Sequence, residues 1–350
     1  MGPTPAHWYP PPGRVDLQRR ARLLQPLGWL YGLGLACDRV RHQPHRLPVP
    51  VVSVGNLTTG GAGKTPLVIA LAGALQQRGW RVAVLLRGYG GRGLDRAVQP
   101  TDPAVLVGDE ALELAAALPD VQVWVGRQRR QRGRQAIAAG ANLVLLDDGL
   151  QHWPLARDLE LVVVDAGHGL GNGLLLPAGP LRERPSALKR ATALVVSGGP
   201  GPLHASIPQP PGLPCLRLRP LPPDLKVLGP GPLLAFCGLA LPAKFFRSLE
   251  HAGAQLAACR AFPDHHPYRP AELEALAALA QEHRAQLVTS RKDWWRLPVA
   301  WRPRVRAVAL QHDPVHLAPL LALIDRRLGE PPAAASTTPG TTQRNSGRSC

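Results

Sequence analysis

The sequence predicts an α/β protein: a parallel sheet covered on both faces, followed by a second, smaller α/β unit. Three observations predict it. Apolar runs of strand length alternate with helical stretches between residues 47 and 197. A Pro- and Gly-dense stretch, residues 198–232, breaks the alternation and reads as a linker, with room for an extended pair of strands. A shorter strand–helix pattern then resumes over residues 233–330. The length of 350 residues accommodates two such domains.

Residues 1–46 form an N-terminal arm. The first 13 are Pro-rich and read as irregular, and residues 14–46 read as helical, with Pro26 as an interruption. The apolar segment 23–37 is short of the roughly 20 residues needed to span a bilayer. It starts late and no small-residue cleavage site follows, so it is not a secretory signal. Arg14, Arg19, Arg20 and Arg22 precede it, Arg39 and Arg41 follow it, and Trp29 and Tyr31 lie within it. Such a segment suits a helix lying in a membrane interface. It equally suits a buried N-terminal helix.

Strands are expected at 49–54, 81–86, 121–125, 143–146, 161–164 and 194–196, and helices at 66–78, 110–118 and 128–139. In the smaller unit, strands are expected at 233–236, 286–289 and 305–310, and helices at 242–251 and 271–284. Residues 331–350 lack apolar periodicity and read as a disordered tail.

Lys and Arg number 41 against 24 Asp and Glu, a net charge of +17. That balance points to an anionic partner: nucleic acid, a membrane surface or a phosphorylated substrate. Of the basic residues 36 are Arg and 5 are Lys, so part of the excess reads as coding bias. A hydrophobic share of 45% supports packed cores and excludes a collagen or a wholly disordered chain. Cys37, Cys215, Cys237, Cys259 and Cys350 are scattered, with no CxxC, which argues against a disulfide framework or a zinc site and for a reducing compartment.

The strongest motif is Thr58-Thr59-Gly60-Gly61-Ala62-Gly63-Lys64-Thr65, which follows a strand and opens a helix. That is the context of a phosphate-binding P-loop. Backbone N–H groups of the turn converge on phosphate oxygens, aided by the helix N-terminus. Lys64 is placed to reach β/γ-phosphates and Thr65 to hold Mg²⁺. The usual first Gly is replaced by Thr58. The strand at 143–146 runs into Asp147 and Asp148, an apolar strand ending in acid, as in a Walker B motif. Either carboxylate suits Mg²⁺, and if the strand continues the two point to opposite faces. Arg87-Gly88-Tyr89-Gly90-Gly91 offers a guanidinium for phosphate. Asp109, in Gly108-Asp109-Glu110, reads as an N-cap or as a general base. Five Arg lie in 127–134, a solvated helix face by default or an anion site. Asp264-His265-His266-Pro267-Tyr268 and Thr289-Ser290-Arg291-Lys292-Asp293 are polar clusters of the second unit.

In this order, these elements resemble the tetraacyldisaccharide 4′-kinase (lipid A 4′-kinase) family. The resemblance rests on Ser53–Asn56 running into Thr58–Pro66, Arg87–Gly90, Gly108–Glu110, Asp147–His152, Leu176–Glu183, Phe262–Tyr268 and Val288-Thr289 with Lys292-Asp293. It covers residues 20–325, and Thr58 at the first loop position is the family pattern. The chain departs from it at Ala240 and Leu241, where Gly and Asn are usual, and at Arg291, where Glu is frequent. The resemblance implies a P-loop kinase domain, a smaller α/β domain and an N-terminal membrane-associated helix. It implies transfer of the ATP γ-phosphate to the 4′-hydroxyl of a tetraacylated disaccharide 1-phosphate lipid. The expected place is the cytoplasmic face of the bacterial inner membrane, held peripherally by residues 14–41.

On this reading residues 58–65 bind ATP, and Thr65 with Asp147 or Asp148 holds Mg²⁺. Asp109 is expected to accept or orient the hydroxyl proton, with His265 as its partner if the two domains close. Lys64 and Arg87 complete the catalytic set, and Asn56, Arg182, Gln151 and His152 are expected substrate contacts. The rivals are a P-loop ATPase acting as a membrane-associated switch or assembly factor, and a nucleic-acid binder using residues 127–134. Low aromatic content (5%) and the lack of a nucleic-acid module weigh against the second, so no nucleic acid is expected.

Overall fold

A computed structural model describes residues 4–332 apart from 12, 93, 94 and 200. Most of the expected tail, residues 333–350, lies outside the described residues.

Residues 4–10 are pinned rather than irregular. A short turn at Ala6–Trp8 is held from both sides: the Asn172 amide donates to His7 O (2.9 Å) and the Trp8 indole donates to Pro177 O (3.1 Å). Helix α1 (Val15–Arg41) then runs through Pro26 without a break. At about 1.5 Å per residue it is about 40 Å long. Only Ala21 and Gly28 along it are buried.

The first lobe is built from β1 (Val51–Asn56), α2 (Lys64–Gln77), β2 (Val82–Leu86), β3 (Arg96–Ala97), α3 (Ala104–Val107), α4 (Asp109–Ala117), β4 (Gln122–Val125), α5 (Arg129–Ala138), β5 (Leu143–Asp147), β6 (Leu159–Asp165), β7 (Ala193–Ser197) and β8 (Cys215–Leu218). Its sheet has the order β3-β4-β2-β5-β1-β6-β7-β8, parallel throughout except the β3–β4 pair. The central strands are buried on both faces, as continuous Val/Leu runs require. β1 lies between β5 and β6, with Val54 opposite Asp147. The C-terminal ends of β1 and β5 therefore open side by side, where α/β sheets bind ligands.

The second lobe contains β9 (Leu233–Cys237), α6 (Pro242–His251), β10 (Leu256–Ala261), α7 (Pro270–Glu282), β11 (Gln286–Ser290), α8 (Arg291–Arg296) and β12 (Arg306–Val308), in a parallel sheet ordered β10-β9-β11-β12. Two segments depart from the expected boundaries. Residues 215–218, expected in the linker, pair with β7 as the edge of the large sheet. Helix α9 (Pro314–Leu328), expected in the smaller domain, returns to the first lobe, where Leu317, Leu320, Leu321, Leu323 and Ile324 join its core. The second lobe is thus an insertion between β8 and α9. Its entry and exit strands lie together: Leu221 N donates to Gln311 O (2.8 Å) and Asp313 N to Arg219 O (3.0 Å).

Candidate active site

The P-loop leaves β1 at Asn56 and ends on Gly63, whose backbone takes a φ of +88°. A side chain there would be strained, and its Cβ would meet Ser197 Oγ at 2.9 Å. Lys64 opens α2, so its ammonium sits beside the helix N-terminus and the loop amides. Lys64 Nζ donates to Asn56 Oδ1 (3.0 Å) and lies 3.4 Å from Asp148 Oδ1. Asn56 is fully buried and its amide donates to Thr58 O (2.7 Å). Asn56, an expected substrate contact, thus also holds the Lys64 ammonium in place.

The two acids diverge because the strand stops between them. Asp147 is the last residue of β5, and Asp148 turns into the left-handed region at φ +55°, a sparsely populated region for non-glycine residues. Asp148 takes a two-pronged ion pair from Arg182 (2.6 and 2.8 Å). Burial opposes its charge, but Lys64 and Arg182 outweigh it and hold the carboxyl well below its usual range. Asp147 has no such partner. Burial, then Glu110 and Asp148, push its carboxyl up to about 7, and its Oδ2 is buried without a hydrogen bond. A buried carboxylate oxygen with no donor is costly unless a cation meets it. The donor set of Asp147 with Thr65 at the start of α2 is all oxygen and fits Mg²⁺. Among the described residues no group of three or more His, Cys, Asp or Glu is placed to hold a metal, so these residues supply only part of a coordination shell.

The second lobe supplies cations to α4. Asp109, its first residue, is buried. Asp109 Oδ2 accepts from Arg296 Nε (2.6 Å) and lies 3.4 Å from His265 Nδ1. Burial would raise its carboxyl, but His265, Lys292 and Arg296 hold it well below the usual range. The expected Asp109–His265 pairing is therefore present. His265 is the more accessible of the two, with 18% of its side chain exposed against 4% for Asp109. His265 also takes a left-handed backbone, φ +58°, and its ring stands 5.1 Å from that of Tyr89. Gly108 lets the Tyr89 backbone pass close to the start of α4, since a Cβ there would lie 2.6 Å from Tyr89 O. Lys292 Nζ donates to Glu110 Oε1 (2.8 Å) and lies 3.4 Å from His265 Nε2.

Around Asp148, the expected substrate residues form a polar wall in which Asn56 is buried and Arg182, Gln151 and His152 are half-buried. Arg182 also donates to Asn56 Oδ1. Gln151 donates to Glu183 Oε1 (2.9 Å), which accepts from Arg190 (2.7 Å). Burial, then the positive field of Arg129 and Arg157, holds His152 near a pKa of 3, so it is neutral. His152 lines a cavity of about 880 Å³ with Arg41, His42, Arg127, Arg129 and Arg134. The Arg run is thus not a plain solvated face: Arg129 and Arg132 are buried, and Arg129 donates to Asp148 O (3.0 Å). Arg87 is exposed on the loop after β2. Arg296 escaped the sequence reading, because an Arg in a short Trp-rich helix carries no motif.

The loop–helix–acid arrangement at the centre of a parallel sheet defines a P-loop nucleotide-binding protein. What it acts on is carried by kinship rather than by fold. The family model of tetraacyldisaccharide-1-P 4′-kinase matches residues 20–328, and the chain belongs to that family. The tetraacyldisaccharide 4′-kinase of Parvibaculum lavamentivorans is 45% identical over 84% of this chain and 86% of its own length. That of Methylobacterium nodulans is 43% identical over 96% of this chain and 99% of its own. A crystal structure of LpxK from Aquifex aeolicus in complex with ATP covers 88% of this chain and 99% of that one, at 27% identity and a TM-score of 0.69.

Proposed function

We propose that this chain transfers the γ-phosphoryl group of ATP to the 4′-hydroxyl of a tetraacylated disaccharide 1-phosphate, giving the 4′-phosphorylated lipid A precursor. Family membership over residues 20–328 carries the reading, and the site chemistry supports it. The substrate hydroxyl oxygen attacks the γ-phosphorus, the bond to the β–γ bridging oxygen breaks, and ADP leaves. The loop amides of residues 58–65 hold the phosphates. Lys64, aimed by Asn56, neutralises charge on the β/γ oxygens. Thr65 and Asp147 would hold Mg²⁺, which would supply further charge neutralisation. The hydroxyl proton passes to the Asp109–His265 pair, in which the Asp109 carboxylate faces His265 Nδ1 from 3.4 Å and orients the imidazole.

The phosphate-bearing sugar end of the lipid docks at the cationic cavity that His152 lines with Arg127, Arg129 and Arg134. No described helix is long and apolar enough to cross a membrane. Instead α1 exposes Leu23, Leu27, Trp29, Leu30 and Leu33 between its Arg clusters, a surface suited to the interface of an anionic bilayer. The chain accordingly works peripherally on the cytoplasmic face of the inner membrane, where ATP and the lipid meet.

The test is incubation with γ-labelled ATP, Mg²⁺ and a tetraacyldisaccharide 1-phosphate, followed by separation of the lipids. Label in the lipid is the expected result. Label released only as inorganic phosphate would replace this reading with that of an ATPase switch.

A further inference from the structure

Arg296 lies in the second lobe, and its guanidinium bridges to the first. Nε donates to Asp109 Oδ2 (2.6 Å), and Nη1 donates to Gly238 O (3.1 Å) and Asp293 Oδ1 (2.8 Å). Its anchor is rigid. Asp293 is fully buried and also accepts from Gly238 N (2.9 Å), Tyr268 OH (2.8 Å) and Ser290 Oγ (2.5 Å). A guanidinium fork held this way is stiff, and Lys cannot copy its geometry. His265 Nδ1 and Arg296 Nε meet the same carboxylate oxygen from two sides. The other charged groups around Asp109 are Glu110 and Glu113 on its own helix and Lys292 on α8.

We infer that Arg296 is a positioning residue for phosphoryl transfer: reaching across from the second lobe, it fixes the aim of Asp109 toward His265. This deepens the proposed function and rests on it.

The test compares Arg296→Gln and Arg296→Lys with the wild-type chain. Arg296→Gln is expected to lower kcat about a hundredfold, the scale of losing catalytic alignment, with affinity for a fluorescent ATP analogue unchanged within about threefold. The acid limb of kcat moves to higher pH, because Asp109 loses a cation that favours its ionised form. Arg296→Lys recovers part of the rate. Carbon-13 NMR titration of the Asp109 carboxyl reads the same pairing without turnover and must shift upward in Arg296→Gln. An unchanged acid limb and an unchanged Asp109 titration overturn the inference. A wild-type enzyme that labels no lipid overturns the proposed function instead, whatever the titration shows.

Discussion

Side chains at the site are held mostly by other side chains. Asn56 accepts from Lys64 and Arg182, and Arg182 grips Asp148, which also faces Lys64. Three residues thus fix the Lys64 ammonium, and the orphaned oxygen of Asp147 stands out against that saturation. Glu113, one turn beyond Asp109, is the other unusual carboxyl: burial pushes it up to about 7 from an ordinary 4.5. The native state therefore keeps a proton that the unfolded chain releases across that window. Stability falls as pH rises from 4.5 to 7, and the penalty is complete above it. Glu113→Gln is expected to stabilise the protein near pH 8, by about 3 kcal/mol at most, and to change little near pH 4.5. Thermal melts at the two pH values measure it; equal effects at both would contradict it. The loop residues Thr58–Thr65 and the acids Asp147 and Asp148 were legible because spacing along one strand–loop–helix unit expresses their chemistry. Arg296 was not, because it depends on a contact between lobes, and the two acids diverge by another route than the strand continuation expected: a left-handed turn at Asp148 that no local pattern marks.

At the scale of elements, the buried strands were readable from apolar runs alone, since a parallel sheet covered on both faces leaves no polar alternation to confuse the pattern. Edge elements were harder. The strand at 215–218 is short and half-exposed, and Pro and Gly surround it. Helix α9 is amphipathic like any other, and nothing in its sequence says which lobe receives its apolar face. Helix α1 was legible as a helix but left open as buried or interfacial; its side chains settle which faces are free, with Leu23 80% exposed and Leu33 63%. Replacing Leu23, Leu30 and Leu33 by Ser is expected to cut partitioning onto anionic vesicles about a hundredfold or more, with the fold intact by circular dichroism. Co-sedimentation measures this, and unchanged partitioning would move the anchor elsewhere.

Across the whole molecule, three acids of the first lobe meet three bases of the second: Asp109 with Arg296, Glu110 with Lys292, and Asp165 with Lys244. The first two flank the reacting centre. The third lies beyond the P-loop, where Ala240 and Leu241 share a small cavity with Thr58–Ala62 and with Thr4 and Tyr9 of the N-terminal segment. The departure from the family pattern thus sits where the lobes close on the phosphate loop. Lys244→Ala is expected to weaken ATP binding about fivefold, in line with a partly exposed ion pair of about 1 kcal/mol. It should change kcat less. Titration with a fluorescent ATP analogue decides it, and unaltered affinity would separate that ion pair from nucleotide binding.

The zipped entry and exit strands carry a mechanical consequence. Both chain crossings into the second lobe pass through one narrow strip, where Pro220 and His312 pair. Two ropes tied at one point permit swinging but resist twisting and sliding. The lobe is therefore hung, like a hatch, on a single short hinge. The same strip makes residues 221–311 a detachable cassette: a short turn joining 220 to 312 would leave the first lobe's chain path, including α9, uninterrupted.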